Sequence, residues 1–149
     1  GFSAKQICYS ALYPGVEPLA VPAFDGTVRR LGPEWAPWLV EHYENDFGGL
    51  PYMQGALRRG MLGAFLEGER EPAGFVGFHE EGSIGLLEVL PHRRRLGLGE
   101  ILQRSAVNLA LEQGQLAFGQ VFYTNTASLA LQRRVGMELS EGRMFWAFP

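Results

Sequence analysis

The sequence has little cysteine and no long apolar run. Cys8 is the only cysteine, so no disulfide can form within the chain and no cysteine cage can hold a metal. No stretch approaches the roughly 20 apolar residues that a membrane helix needs. The first residues also lack the basic start and the uninterrupted apolar core of a secretory signal. These absences predict a cytoplasmic protein that binds no metal and no membrane.

Positive charge is also scarce. The chain carries 13 Lys and Arg against 16 Asp and Glu, which gives a formal net charge of −3 and a pI near 5.6. A chain of this charge has no general affinity for nucleic acid, so no nucleic-acid partner is expected. Lys5 is the only lysine, and the arginines Arg93, Arg94 and Arg95 are consecutive. The basic residues that matter are therefore concentrated in one short segment.

What the sequence does contain is enough apolar material for one core. The chain has 149 residues, of which 46% are hydrophobic, and this predicts a single folded domain. Residues 1–26 carry Pro14, Pro18 and Pro22 and are predicted to form an extended N-terminal segment with a short strand around Gln6–Tyr9. Residues 27–149 are predicted to form the domain itself.

Apolar periodicity predicts an α/β domain with a mixed sheet. Helices are expected over Glu34–Tyr43 and Tyr52–Arg59, from Leu98 to a cap at Gly114, and from a cap at Asn125 or Thr126 to Gly136. Strands are expected over Thr27–Leu31, Met61–Leu66, Ala73–His79, Ser83–Leu90 and Leu116–Tyr123, with a final hairpin of Met137–Ser140 and Arg143–Phe148. Runs of antiparallel strands followed by a strand–helix–strand crossover indicate a mixed sheet.

The segment from Gly85 to Leu102 carries the chemistry. A buried strand ends near Leu90, an Arg- and Gly-rich turn follows, and a helix begins near Leu98. The first turn of a helix exposes unpaired N–H groups at the positive end of its dipole. Glycine at positions 97 and 99 lets a diphosphate approach this backbone, and the arginines add charge for its oxygens. The segment therefore predicts a site for a phosphorylated cofactor.

Other phosphate-binding motifs fit this segment less well. A dinucleotide-binding Gly-x-Gly-x-x-Gly would need glycine at position 102, where leucine stands, and an acidic residue after the next strand, where residues 122–124 are Phe-Tyr-Thr. A Walker loop would need Gly-Lys-Ser or Gly-Lys-Thr, which is absent. A tight turn with solvated arginines remains an alternative.

Two motifs resemble those of the GNAT superfamily of acyl-CoA N-acyltransferases. Arg94-x-x-Gly97-x-Gly99 resembles the pyrophosphate loop of that superfamily, and Asn125-x-x-Ser128 with a later Gly136-Met137 is similar to its second cofactor motif. The resemblance extends from about Thr27 to the end of the chain. Leu-Glu-Val-Leu-Pro at 87–91 and Phe-Gly-Gln-Val at 118–121 are similar to a bacterial branch related to glycine N-acyltransferase-like proteins.

The resemblance implies a fold and a cofactor site. The fold would be a mixed, mostly antiparallel sheet of about six to seven strands flanked by about four helices. Two central strands, here 83–90 and 116–123, would splay apart, and the pantetheine of acetyl-CoA or another acyl-CoA would lie in the gap. An N–H near Val89 or Leu90 would polarise the thioester carbonyl. The residues implied to contact the cofactor are Leu87, Val89, Leu90, Arg94, Arg95, Leu96, Gly97, Leu98, Gly99, Glu100, Asn125 and Ser128.

The resemblance implies transfer of an acetyl or other short acyl group to a primary amine by direct attack in a ternary complex, without a metal. Many relatives carry a glutamate where this chain has Gln120 and a tyrosine where it has Gln132, and neither glutamine titrates. Glu88 is the remaining candidate base, because strand alternation places it on one face with Ile84, Leu86 and Leu90. It could equally orient substrate or water. Tyr123 is the candidate acid, although a packed strand tyrosine would look the same.

A second function stays open, namely a CoA-binding regulatory or sensor module that has lost catalysis. The acceptor would be a small-molecule or peptide amine, since the resemblance places the acidic and aromatic loop Glu41–Tyr52 on the acceptor side. His42 and His79 have no companion at metal-ligand spacing and are interpreted as packing or surface residues. Late strands often pair between GNAT subunits, so the apolar segment Met144–Phe148 could support a homodimer or form an inner strand.

Overall fold

The computed structural model describes residues 7–43, 48–94, 96–122 and 125–145. The strands are β1 Ile7–Leu12, β2 Gly26–Arg30, β3 Leu62–Leu66, β4 Gly74–Phe78, β5 Ile84–Val89, β6 Phe118–Phe122 and β7 Glu138–Phe145. The helices are α1 Ala36–His42, which follows a 3-10 turn at Pro33–Trp35, α2 Gly49–Arg59, α3 Leu98–Glu112 and α4 Thr126–Val135. The predicted α/β domain, with a mixed, mostly antiparallel sheet of about six to seven strands and about four helices, is confirmed.

The described strands form one sheet in the order β2-β3-β4-β5-β6-β1-β7. All neighbouring strands are antiparallel except β5 and β6, which run parallel. The α3 face of the sheet, which carries Val76 and Phe78, packs in one apolar cluster with Leu102 and Val107 of α3. The α2 face carries Phe75, which packs in a second cluster with Leu57 of α2. The sheet is thus covered by different helices on its two faces.

The predicted N-terminal segment contributes an interior strand. β1 pairs with β6 on one side and with β7 on the other, and Ala11 is fully buried between them. After β1 the chain passes along α3, where the Asn108 side chain accepts a 2.7 Å hydrogen bond from the Leu19 N–H and donates a 2.9 Å one to its carbonyl. The strand is longer than the predicted Gln6–Tyr9 because it has a partner on both edges.

The predicted C-terminal hairpin is wrong, because β7 continues from Glu138 to Phe145 as one strand. Its register against β1 shifts between the pairs Ala11↔Leu139 and Tyr9↔Arg143. Residues 141–142 therefore belong to a bulge within the strand and do not form a hairpin turn. The reason is that β1 already offers β7 an antiparallel edge. Residues 146–148 of the predicted dimer segment lie outside the described residues.

Candidate functional site

A gap opens between β5 and β6 at the centre of the sheet. Within the described residues Ile84↔Gly119 is the one pair that joins these strands. A Cβ on Gly119 would lie 3.1 Å from the Ile84 carbonyl oxygen, so glycine allows this close approach. Toward their carboxyl ends the described parts of the two strands make no further pair. The splayed strands that the resemblance implied are therefore present, and we call this space the β5–β6 gap.

A β-bulge lies in β5 beside the gap. The pairs Phe75↔Glu88 and Gly77↔Gly85 differ by one residue in register, so Leu86 and Leu87 together oppose one residue of β4. Leu86 has a φ of 55°, a left-handed conformation that a branched leucine rarely adopts. The regular strand predicted from sequence could not show this feature.

The bulge changes which side chains share a face. Ile84 packs in the α3-face cluster, whereas Leu86 packs in the α2-face cluster. Glu88 lies directly opposite Phe75 and therefore also belongs to the α2 face. The expectation that Glu88 shares a face with Ile84 is wrong, because the extra residue at Leu86 shifts the alternation.

The backbone of β5 presents Val89 to the gap. The N–H of Leu90 donates a 2.9 Å hydrogen bond to the Ala73 carbonyl and is therefore directed away from the gap. The carbonyl of the same peptide, that of Val89, points to the opposite side and accepts a 3.1 Å hydrogen bond from Arg94 Nε, and in an extended strand the N–H of Val89 points to that side too. Of the two N–H groups that the resemblance implied for the thioester, that of Leu90 is excluded by its bond. The N–H of Val89 remains the candidate.

The amino end of α3 has the open backbone that the glycine spacing predicted. Gly97 caps the helix with a φ of 75°, and its carbonyl accepts the first helical bond from Ile101 at 3.2 Å. The N–H groups of Leu98–Glu100 therefore have no partner within the helix. A Cβ on Gly97 would meet nothing within 4 Å, and one on Gly99 only Leu131 Cδ2 at 3.9 Å. We call Gly97–Glu100 the phosphate cradle.

The consecutive arginines have different partners. Arg93 forms an ion pair with Glu69 and braces the turn after β5 against the β3–β4 turn. Arg94 folds back toward the strand, and besides its bond to Val89 it places a guanidinium nitrogen 3.9 Å from Glu88 Oε2. Arg95 lies outside the described residues. Of the consecutive arginines, Arg94 is thus the described one that contacts β5 beside the gap.

The carboxylate of Glu100 is neutralised by two arginines. Arg104 Nε lies 3.1 Å and Arg134 Nε 3.2 Å from its oxygens, which ties α3 to the end of α4. Burial would raise the pKa of Glu100, but the hydrogen bonds from Arg134 and Arg104 outweigh burial and hold the pKa below its usual value. An acidic side chain beside the phosphate cradle is thereby kept from repelling an anion.

The start of α4 matches the second predicted motif. Asn125 caps the helix, since its Oδ1 accepts a 3.0 Å hydrogen bond from the Ser128 N–H. Gly136, with a φ of 95°, ends the helix as predicted. Gln132 is buried and accepts a 3.1 Å hydrogen bond from the buried Gln103, so it packs α4 on α3. The candidate acid Tyr123 lies outside the described residues.

An aromatic cluster borders Glu88 on the α2 face. The ring of the fully buried Phe75 is 5.9 Å from that of Trp38 and 6.2 Å from that of Tyr43, both in edge-on geometry. His42 stacks on Trp38 at 4.0 Å, in agreement with its interpretation as a packing residue. The side chain of Glu88 is only 9% exposed beside these rings.

The histidine after β4 was interpreted from the sequence as a packing or surface residue, and the structure places its half-buried ring over Gly85 of β5. His79 Nδ1 is hydrogen-bonded to the Tyr52 hydroxyl, and a Cβ on Gly85 would collide with His79 Nε2. Burial lowers the pKa of His79 and raises the pKa of Tyr52. Gly85 in the otherwise apolar strand was the sequence signal that another group, here the His79 ring, lies close to the strand.

The structure also bears on metals and membranes. In the parts of the chain that the structure describes, no three His, Cys, Asp or Glu side chains form a group suited to a metal ion. No helix of the described ranges has the length and apolar character for crossing a membrane.

The sheet thus contains a splayed pair of parallel strands, and the phosphate cradle follows the first of them in the chain. This combination is typical of the acetyltransferase fold. The model of the acetyltransferase (GNAT) family matches residues 26–137, and the chain belongs to this family. The resemblance seen in the sequence is thereby confirmed. No curated protein sequence matches the chain.

Solved structures share the fold. A Drosophila protein superposes with a TM-score of 0.81 at 24% identity, covering 91% of this chain and 48% of that one. A GCN5-related N-acetyltransferase from Sphaerobacter thermophilus gives 0.72 at 19% identity, covering 94% and 50%. An aminoglycoside acetyltransferase from an uncultured soil metagenomic sample gives 0.65 at 16% identity, covering 84% and 96%. The chain thus spans about half the length of the first two proteins.

Proposed function

We propose that the protein transfers an acetyl or other short acyl group from acyl-CoA to a primary amine within a ternary complex. The observation that carries this proposal is the β5–β6 gap leading to the open phosphate cradle, in a chain of the acetyltransferase family. The φ of 75° accounts for Gly97 by itself, whereas the open glycine at position 99 is accounted for by a ligand that approaches the helix.

The residues present fit acyl-CoA as the donor substrate. The N–H groups of Leu98–Glu100 would bind the pyrophosphate, since Gly97 and Gly99 leave the approach clear. The pantetheine would lie along the peptides of Leu87 and Val89 in the gap and add to the strand edge. The side chain of Arg94 now donates a hydrogen bond to the Val89 carbonyl. When the pantetheine binds to this carbonyl instead, we expect Arg94 to turn toward a phosphate of the cofactor.

The acceptor would approach from the α2 face, where Glu88 and the aromatic cluster lie. The carboxyl group of Glu88 lies beside Arg94 in a nearly buried position, and an acidic side chain there suits an ammonium group better than a carboxylate-bearing ligand. The protein would thus hold amine and thioester together, and positioning would supply much of the rate enhancement. A small-molecule or peptide amine is the class of acceptor that this arrangement favours.

A CoA-binding module without catalysis is the second candidate. It is favoured by Gln132, which packs two helices and cannot donate a proton to a leaving thiolate. Both candidates need the phosphate cradle, and only the first needs the α2 face.

Replacement of Glu88 by glutamine is expected to raise the KM for the amine about tenfold, the loss of one charge-assisted hydrogen bond. The KM for acetyl-CoA should change little, because the Glu88 carboxyl group lies on the α2 face of the sheet, whereas the phosphate cradle belongs to α3 on the opposite face. Thiol release from acetyl-CoA with glycine, lysine, spermidine and phenethylamine as acceptors measures both constants. Glu112→Gln makes the same change at the exposed end of α3 and should leave them unchanged. An unaltered amine KM in Glu88→Gln would contradict this role.

A further inference from the structure

We propose that His79, oriented by Tyr52, is the general base that removes the proton from the attacking amine. This inference rests on the proposed acyl transfer and adds the proton acceptor that Gln120 cannot provide. It assigns a catalytic role to a residue outside both cofactor motifs.

The imidazole lies where β5 and β6 begin to separate. Gly85, over which His79 Nε2 lies, directly follows Ile84, the residue that pairs with Gly119. Because Ile84 packs on the α3 face, Gly85 and its neighbour Gln120 in the parallel register belong to the α2 face. Gly85, over which the ring lies, is thus beside Gln120 and directly precedes the bulge at Leu86. This is the closed end of the gap, toward which an acyl group on the pantetheine would extend.

Gly85 gives this placement a steric basis. A Cβ there would collide with the His79 ring, so the present position of the imidazole over the strand depends on glycine. From the other side, Tyr52 on α2 fixes the ring through Nδ1. A histidine with a merely exposed role would need neither the glycine nor the tyrosine partner.

The surroundings of His79 keep the ring neutral near pH 7. Burial has the largest effect and lowers its pKa, and Arg59 of α2 acts in the same direction, whereas Glu81 in the β4–β5 turn opposes them. Glu80 of the same turn also faces the Tyr52 hydroxyl, whose pKa burial raises, so the phenol stays protonated. When Nδ1–H donates to the Tyr52 oxygen, Nε2 is the basic nitrogen.

Proton transfer to His79 accompanies the attack of the amine on the thioester. The amine lone pair attacks the thioester carbonyl carbon, a C–N bond forms, and the carbonyl π pair moves to oxygen. The ammonium proton passes to His79 Nε2, directly or through one water, which makes an imidazolium. When the carbonyl re-forms, the C–S bond breaks and the thiolate leaves with the electron pair. The imidazolium returns its proton to the thiolate or to solvent, so the products are the amide and free CoA.

Glu88 is the weaker candidate for this step. Its carboxyl group lies 3.9 Å from the Arg94 guanidinium and thus already has a cationic partner. Glu88 also lies after the bulge in β5, whereas His79 lies over Gly85, before the bulge and at the closed end of the gap. Binding the ammonium form and removing its proton are therefore assigned to different residues.

The test is the pH dependence of kcat for acetyl-CoA with the four amines named above. For the native protein we expect kcat to fall on the acid side with a midpoint below the usual histidine value of about 6.5. His79→Gln should lower kcat about 100-fold or more and abolish this acid limb, with acetyl-CoA binding measured by calorimetry unchanged. Tyr52→Phe should lower kcat less and shift the midpoint. A merely structural role would not remove the acid limb.

Glu112→Gln at the exposed end of α3 is the control, and it should keep the native kcat and acid limb. Turnover in His79→Gln with a native pH profile would overturn the role of His79 while leaving acyl transfer intact. A complete lack of turnover in the native protein would overturn the proposed function, and the role of His79 with it. Circular dichroism of each variant identifies a loss of activity that comes from unfolding.

Discussion

Replacement of Gly99 by valine is expected to weaken acetyl-CoA binding at least about 30-fold, which corresponds to about 2 kcal/mol. The added methyl groups would fill the space in which a diphosphate meets the N–H groups of the phosphate cradle. The protein itself has room for them, since a Cβ at this position meets only Leu131 at 3.9 Å. Calorimetric titration with acetyl-CoA measures the change.

The variant is confined to Gly99 because Gly97 has a φ of 75°, which would strain a valine and confuse folding with binding. Gly55→Val is the control, because a Cβ there would meet only the flexible guanidinium ends of Arg59 and Arg58. It should bind acetyl-CoA as the native protein does. Native affinity in Gly99→Val would show that the phosphate does not lie on this helix.

Replacement of Phe75 by alanine is expected to lower the free energy of unfolding by about 3–5 kcal/mol. The ring is fully buried and makes edge-on contacts with Trp38 and Tyr43, so its removal leaves a cavity between the sheet and α1. Urea denaturation followed by circular dichroism gives the difference.

Leu116→Ala is the matched control for this prediction, since Leu116 is 71% exposed. Its free energy of unfolding should stay within about 0.5 kcal/mol of the native value. A similar decrease in the free energy of unfolding in both variants would mean that the burial of Phe75 contributes no more to stability than an exposed leucine does. The same cavity would also loosen the surroundings of Glu88, which pairs with Phe75 across β4 and β5.

The sequence predicted the helices and most strands because their periodicity and capping are local. Gly97, Asn125 and Gly136 mark helix ends that the structure places within a residue of the prediction. The hairpin at residues 137–148 failed for a non-local reason. Whether Glu141-Gly142 turns or widens a strand depends on β1, which arrives from the other end of the chain.

The phosphate cradle could be predicted because backbone N–H groups and two glycines define it within one turn. The α2 face could not. The alternation of β5 depends on the bulge at Leu86, which no residue type announces, and the bulge decides that Glu88 and not Ile84 faces Phe75. His79 was interpreted as isolated because its partners, Tyr52 and Gly85, come from two other elements. Chemistry assembled across elements thus needs the fold.

The most direct test of the central claim, amine-dependent acyl transfer, is mass spectrometry of the four amines after incubation with acetyl-CoA and the native protein. At least one amine is expected to gain one acetyl group, with release of an equal amount of CoA that stops when the amine is left out. Binding of acetyl-CoA without an acetylated product from any amine would contradict transfer and favour the CoA-binding module. Neither binding nor product would contradict the cofactor site itself.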